Sequence, residues 1–255
     1  MKNILTVTKF TFLEVYRSKL MISLVFLSIG LLGVSYVASE FAYGAPAKVA
    51  LDVGLGIMSI SNLIISIFIG ANLINKEIEQ RTLYMVISKP ISRASFLMGK
   101  ILGLSSVLLI NSLVLGTLSI LIYLLFKGTY SSLMFWTILF SFLEAFTVLV
   151  FAVFFSLITN TTLSVIFTIA VFIVGHAINE TSKLLLVKVS SFYSSLIDIS
   201  FILVPNFYKL NLKDFVLYQQ NISNDYLLST LLYLAFYLLA LLSAVLLIFK
   251  NKNLD

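Results

Sequence analysis

Residues 76–100 read KEIEQRTLYMVISKPISRASFLMGK. Seven of them are charged: Lys76, Glu77, Glu79, Arg81, Lys89, Arg93 and Lys100. The flanking runs, 53–74 and 101–126, contain no charged residue. Each run has the roughly 20 apolar residues that a helix needs to cross a bilayer. The charged stretch therefore reads as a link between two membrane spans, and the rest of the chain follows the same pattern.

The 255-residue chain is 60% hydrophobic and 11% charged, with a mean hydropathy of +1.07. Soluble domains have about 45–50% apolar and about 25% charged residues. A soluble chain this apolar could not cover its own surface, so the composition is that of an integral membrane protein. The absence of Cys excludes disulfides and thiolate metal sites. A single His, His176, excludes bis-His haem ligation and multi-His zinc sites within the chain. The net charge of +6 reads as a cytoplasmic excess of Lys and Arg rather than as a nucleic-acid surface.

Six apolar runs meet or approach the spanning length: 20–38, 53–74, 101–126, 133–158, 163–178 and 227–249. Lipid offers no partner to free backbone groups, so helices are expected. Pro46, Pro90 and Pro205 all fall between the runs, which predicts unbroken spans. The first run ends in VASEF, a poor cleavage site, and is expected to be retained. With six spans, the side holding both termini and the links after spans two and four carries eleven of the seventeen Lys and Arg. That excess puts both termini in the cytoplasm.

Two further segments carry pattern. Residues 1–19 interleave Ile4, Val7, Phe10, Phe12 and Val15 with Lys9, Glu14, Arg17 and Lys19. This predicts an amphipathic helix in the inner interface. Residues 179–226 mix Leu, Phe and Tyr with Lys and Asp, too apolar for a floppy loop. They read as short amphipathic pieces at the outer interface that can serve as a gate or lid. The expected fold is thus an all-α integral membrane protein: one transmembrane domain over 1–255 with six transmembrane helices, an N-terminal interfacial helix, a cytoplasmic link region over 75–99 and an extracytoplasmic segment over 179–226.

Within the link, Leu83, Val86 and Ile87 share one helical face. Glu77, Glu79, Arg81 and Lys89 supply polar surface around it. Pro90 disfavours helix at Lys89, so the chain turns there. Ser92 then fits as the cap of a new helix leading into the third span. A topology-setting loop needs a few basic residues only. A short helix, a Lys-Pro corner and a re-entry make a docking element.

Motifs for chemistry are sparse. There is no G-x-x-x-x-G-K-[ST] phosphate loop, no G-x-S-x-G elbow and no H-E-x-x-H. Glu144 lies inside the fourth run, where an ionised group is costly, about 2.5–3.5 kcal/mol for Asp at a helix centre. Two readings stand for it: a functional group facing a cavity, helix or subunit, or a carboxyl reaching the headgroups or held protonated by a polar neighbour. Asn62 and Asn111 suit interhelical hydrogen bonding. His176 suits an interfacial position.

The link also resembles the signature after the second span of ATP-binding-cassette type-2 permeases, above all the subgroup that includes the permease of the copper-maturation system for nitrous oxide reductase. The matching residues are Glu77, Glu79, Arg81, Thr82, Leu83, Ser88, Lys89, Pro90, Ile91, Ser92, Arg93, Gly99 and Lys100. The resemblance implies a permease half-transporter, exporter-like, in a bacterial or archaeal cytoplasmic membrane. It implies a second permease chain, identical or different, and two ATPase subunits that bind ATP and Mg, with no cofactor in this chain. Glu77 to Pro90, with Arg93, would form the coupling helix that the ATPase grips. An extracytoplasmic accessory protein is a further expected partner, and nucleic acid is not. The alternatives are a non-transporting ABC assembly that transmits force outward, a secondary transporter or an intramembrane enzyme. The last two lack their marks, namely paired repeats with Gly/Pro-broken helices and a catalytic motif.

Overall fold

The computed structural model describes residues 2–42, 44–79, 92–181, 195, 199–201 and 203–252. All regular structure among the described residues is helical. α1 spans Lys2–Tyr16 and α2 spans Lys19–Glu40. The Ser18 hydroxyl accepts from the Met21 N–H at 3.2 Å, so a capped corner separates the two. α3 (Pro46–Ile64) passes through a π turn (Ile65–Ile69) into α4 (Gly70–Glu79). Then come α5 (Arg93–Leu125), α6 (Leu133–Ile158) and α7 (Thr161–Thr181). A 3-10 turn (Phe207–Leu210) and a short α8 (Lys213–Leu217) precede the last helix, α9 (Asn224–Asn251).

Among the described residues, five stretches are long and apolar enough to cross a membrane: Pro46–Asn75, Arg93–Leu125, Leu133–Ile158, Thr161–Thr181 and Asn224–Asn251. This is the architecture of a multi-pass membrane protein. α6 is the central helix, packed on α3, α4, α5, α7, α8 and α9. Its Phe140, Val150, Ala152 and Val153 are wholly buried. α9 instead turns Leu228, Phe236, Leu239 and Leu247 outward, which suits a helix facing lipid.

The second span departs from the expected unbroken helix. No proline interrupts it, but the chain widens into the π turn at Ile65–Ile69. Just inside the turn the Ser66 hydroxyl donates to the Asn62 carbonyl at 2.8 Å and competes with the backbone ladder there. Such turns re-aim the helix that follows. Here that helix, α4, packs on α6, with Gly70 against Leu149 and Ala152.

α1 forms as the amphipathic pattern predicts, but its second face is not left to solvent. It docks along α5. A Cβ on Gly99 would sit 2.6 Å from the Val7 Cβ, and one on Gly103 would sit 2.6 Å from the Thr11 Cβ. Only glycine permits this approach, and the two are four residues apart, one turn along α5. Leu5, Phe10 and Tyr16 stay exposed on the outer face of α1.

Candidate functional site

Most of the link lies outside the described residues. That includes Arg81, Thr82, Leu83, Val86, Ile87, Lys89 and Pro90. Glu79 is within α4, but its side chain is also outside them. The structure does place the two feet of the link. The incoming foot is α4, with Glu77. The outgoing foot is the start of α5, where the Ser92 hydroxyl accepts from the Ser95 N–H and caps the helix, as its position predicts.

The feet are braced by Lys100. Its ammonium donates to Glu77 Oε1 at 2.6 Å and to Glu14 Oε2 at 3.2 Å. It also lies over the Phe96 ring at 5.8 Å. Lys100 is buried, 7% exposed, so this is a desolvated cation bonded to two carboxylates from α1 and α4. An open cleft of about 350 Å3 runs beside the cluster, lined by Phe68, Asn72 and Leu73 as well as the three charged groups. In the sequence, Lys100 enters only as a motif residue and Glu14 only as polar surface of α1. Neither is legible as a partner of Glu77, because the three come from three helices.

The same rim is tied further. The Arg93 guanidinium donates to the carbonyls of Lys250 and Lys252 at the end of α9, at 3.3 and 3.1 Å. The Lys252 ammonium donates to the Leu157 carbonyl at the end of α6, at 2.8 Å. Partial burial there lowers the Lys252 pKa below its ordinary value. Asn75 of α4 bonds Thr161 at the start of α7, at 3.1 Å. Residues entering and leaving the link are thus bonded to α1, α7 and α9.

Deeper in the bundle, Asn62 and Asn111 bond each other. Asn111 Nδ2 donates to Asn62 Oδ1 at 2.8 Å and reaches Ser61 Oγ at 3.1 Å. Asn62 Nδ2 donates to Ser112 Oγ at 2.8 Å, and the Ser28 hydroxyl of α2 donates to Ser61 at 3.1 Å. This buried chain joins α2, α3 and α5.

Glu144 and His176 come together. Glu144 Oε1 of α6 lies 3.2 Å from Nε2 of His176 on α7. The two helices run antiparallel through a tight turn at 159–160, and both residues sit about 21–22 Å along from it at 1.5 Å per residue. The His176 ring stacks on Phe207 at a centroid distance of 5.6 Å, and Phe172 lies 4.5 Å away. A groove of about 140 Å3 reaches Glu144, lined also by Ser59, Ile60, Ser141 and Phe172. The sequence marks each residue singly, and their shared depth was the available sign of a pair.

Over the described part of 179–226, two short helical turns pack on the bundle. Phe207, Leu210, Leu212 and Val216 are buried. Gly175 makes room for Phe207: a Cβ there would lie 2.4 Å from the ring and 2.7 Å from the Pro205 carbonyl. Tyr237 and Tyr233 of α9 donate to the Leu203 carbonyl and accept from the Asn206 N–H, respectively. Lys213 of α8 pairs with Asp52 of α3 at 2.5 Å. The segment is a cap fastened to α3, α7 and α9 above the Glu144–His176 pair.

No family model matches the chain, and no curated protein matches it.

Proposed function

We propose that this chain is the membrane-spanning permease subunit of an ATP-driven ABC transporter, exporting a substrate with energy from a separate ATPase. One observation carries the reading: the feet of the charged link are tied to α1 and α5 by Lys100, a buried cation bonded to Glu77 and Glu14. A partner that pushed on residues 80–91 would move these helices together rather than bend a loop, because buried paired elements shift as rigid bodies. The motif of the link supports the same reading. α2, at 22 residues, is about 33 Å long and supplies the sixth span. The link rim then faces the cytoplasm with both termini, and the exposed apolar residues of α1 lie in the inner interface. Two such chains pair, and two ATPase subunits grip the links.

The test is co-purification with a candidate ATPase, with Leu83→Asp and Val86→Asp in the link. Loss of complex and of coupled ATPase activity is expected. An intact complex with unchanged coupling rejects the reading. A second reading, a force-transmitting assembly without cargo, is favoured by the fastened cap over 203–217. It predicts coupled ATPase activity without movement of any substrate into proteoliposomes.

A further inference from the structure

The hydrogen bonds of His176 fix the proton content of its pair with Glu144. Nδ1 faces the Phe172 carbonyl at 3.2 Å and Nε2 faces Glu144 Oε1 at 3.2 Å. Both partners are acceptors unless the carboxyl carries a proton. A neutral imidazole has one N–H and can serve one of them. Making both contacts takes one more proton than a neutral ring beside a carboxylate supplies. That proton sits on the second ring nitrogen or on the carboxyl. Either way the pair is electrically neutral, which suits its depth in the bundle.

Removing that proton leaves a carboxylate at the end of the groove. The groove has two hydroxyls, Ser59 and Ser141, an aromatic face, Phe172, and apolar walls that include Ile60. At about 140 Å3 it holds a head group, whereas a whole drug-sized ligand needs roughly 300 Å3 or more. Ile60 is 60% exposed at its mouth, which gives an alkyl tail a path outward. A carboxylate, hydroxyl acceptors and a ring face together select an ammonium with N–H donors.

We infer that the groove at Glu144 binds an alkylammonium head group in exchange for the proton held by the Glu144–His176 pair. The inference rests on the permease reading in taking this ligand as the transported class. In the exchange, the ammonium donates to the Glu144 carboxylate and one proton leaves to solvent. His176 stays neutral on the Phe172 carbonyl, and total charge in the groove is unchanged. His176 is then no longer held by Glu144, so the stacking partner of Phe207, and with it the cap, is loosened by the same event. The other charged groups on the surrounding elements are Glu180 on α7, Lys209 on the 3-10 turn, Lys48 and Asp52 of α3, and Lys213 and Asp214 of α8. Lys209 lies over the Tyr233 ring, and Asp52 and Lys213 pair with each other. On α6 the groove is lined by one charged residue, Glu144.

The test is calorimetric titration of hexylammonium into the whole chain in phosphatidylcholine nanodiscs, in buffers of different ionisation enthalpy. Saturable binding with about one proton released per cation is expected, so the apparent Kd tightens about tenfold per pH unit while the pair is protonated. Hexanol should not compete. Glu144→Gln should weaken binding at least tenfold, and Glu144→Asp should keep it proton-linked. Binding without proton release in the unaltered chain overturns the inference, as does equal binding of hexanol. If Glu144→Gln does not fold, the Glu144→Asp and hexanol results decide. Leu83→Asp should leave hexylammonium binding unchanged, so a failure to dock an ATPase and a failure of this site are read separately.

Discussion

Lys100 stands between Glu77 and Glu14, 2.6 Å from one carboxylate and 3.2 Å from the other, but the two contacts are unequal in burial. The Glu77 side chain is 15% exposed and that of Glu14 is 48% exposed. Removing a partner from a buried pair leaves an uncompensated charge and costs about 3–5 kcal/mol. An exposed partner contributes about 0–1 kcal/mol. Lys100→Met should therefore cost about 3 kcal/mol, and Glu14→Gln well under 1 kcal/mol. Pairing Lys100→Met with Glu77→Gln should recover part of the loss, since the buried contact is then removed from both sides. Unfolding midpoints of the unaltered chain, the three single variants and the double variant in one detergent measure this. Equal effects of Glu14→Gln and Glu77→Gln would reject the ranking.

The docking of α1 depends on the absence of side chains at Gly99 and Gly103. Gly103→Leu places atoms where the Thr11 Cβ and the Thr8 carbonyl already are. Overpacking of this kind costs about 1–3 kcal/mol. The strain is local, and α1 leads into the rest of the bundle only through the Ser18 corner. The expected outcome is release of α1 with the five long spans intact. Limited proteolysis should cut within residues 2–16 of the variant at least tenfold faster, with unchanged helical content. Unchanged protection would show that α1 is held by other contacts.

The parts of the fold that were legible in the sequence are those set by local pattern. Ser92 could be read as a cap because capping needs only a hydroxyl three residues before a free N–H. The long spans could be read because burial in lipid makes whole runs apolar. What escaped reading depends on contacts between helices. The π turn re-aims α4 onto α6, and no proline announces it. Gly175 looks like any span glycine until Phe207 is seen against it. Glu144 was visible as an anomaly and His176 as an interfacial residue, but pairing them required knowing that α6 and α7 are adjacent and in register.

Phe207 anchors the cap. Its ring is wholly buried and packs against both His176 and Phe172. Phe→Ala in a core costs about 3–5 kcal/mol. Because the turn is one piece of the short segment at 203–217, Phe207→Ala should open that segment rather than unfold the bundle. Hydrogen exchange of amides over 203–217 should speed up by about 100-fold, which corresponds to about 2.8 kcal/mol at 1.4 kcal/mol per tenfold. Amides of α6 should keep their protection. Exchange that rises equally in α6 would make Phe207 part of the global core instead.

Asn62 and Asn111 present the opposite case, a polar contact in the middle of the bundle. Each uses its amide twice, and the chain runs from Ser28 through Ser61 and Asn111 to Asn62 and Ser112. Interhelical hydrogen bonds in membranes contribute about 0.6 kcal/mol on average and up to about 1.7. Asn111→Leu removes two bonds and leaves Asn62 Oδ1 without its donor in a dry setting. It should therefore reach the upper end, about 1.5–2 kcal/mol. Asn62→Leu should cost about the same. The double variant Asn62→Leu/Asn111→Leu removes donor and acceptor together and buries apolar surface in their place. It should cost less than the two single changes added, with a coupling of about 1 kcal/mol. Unfolding free energies of the single and double variants close the cycle. Simple additivity would mean that the two amides stabilise the bundle independently, through Ser61 and Ser112 rather than through each other.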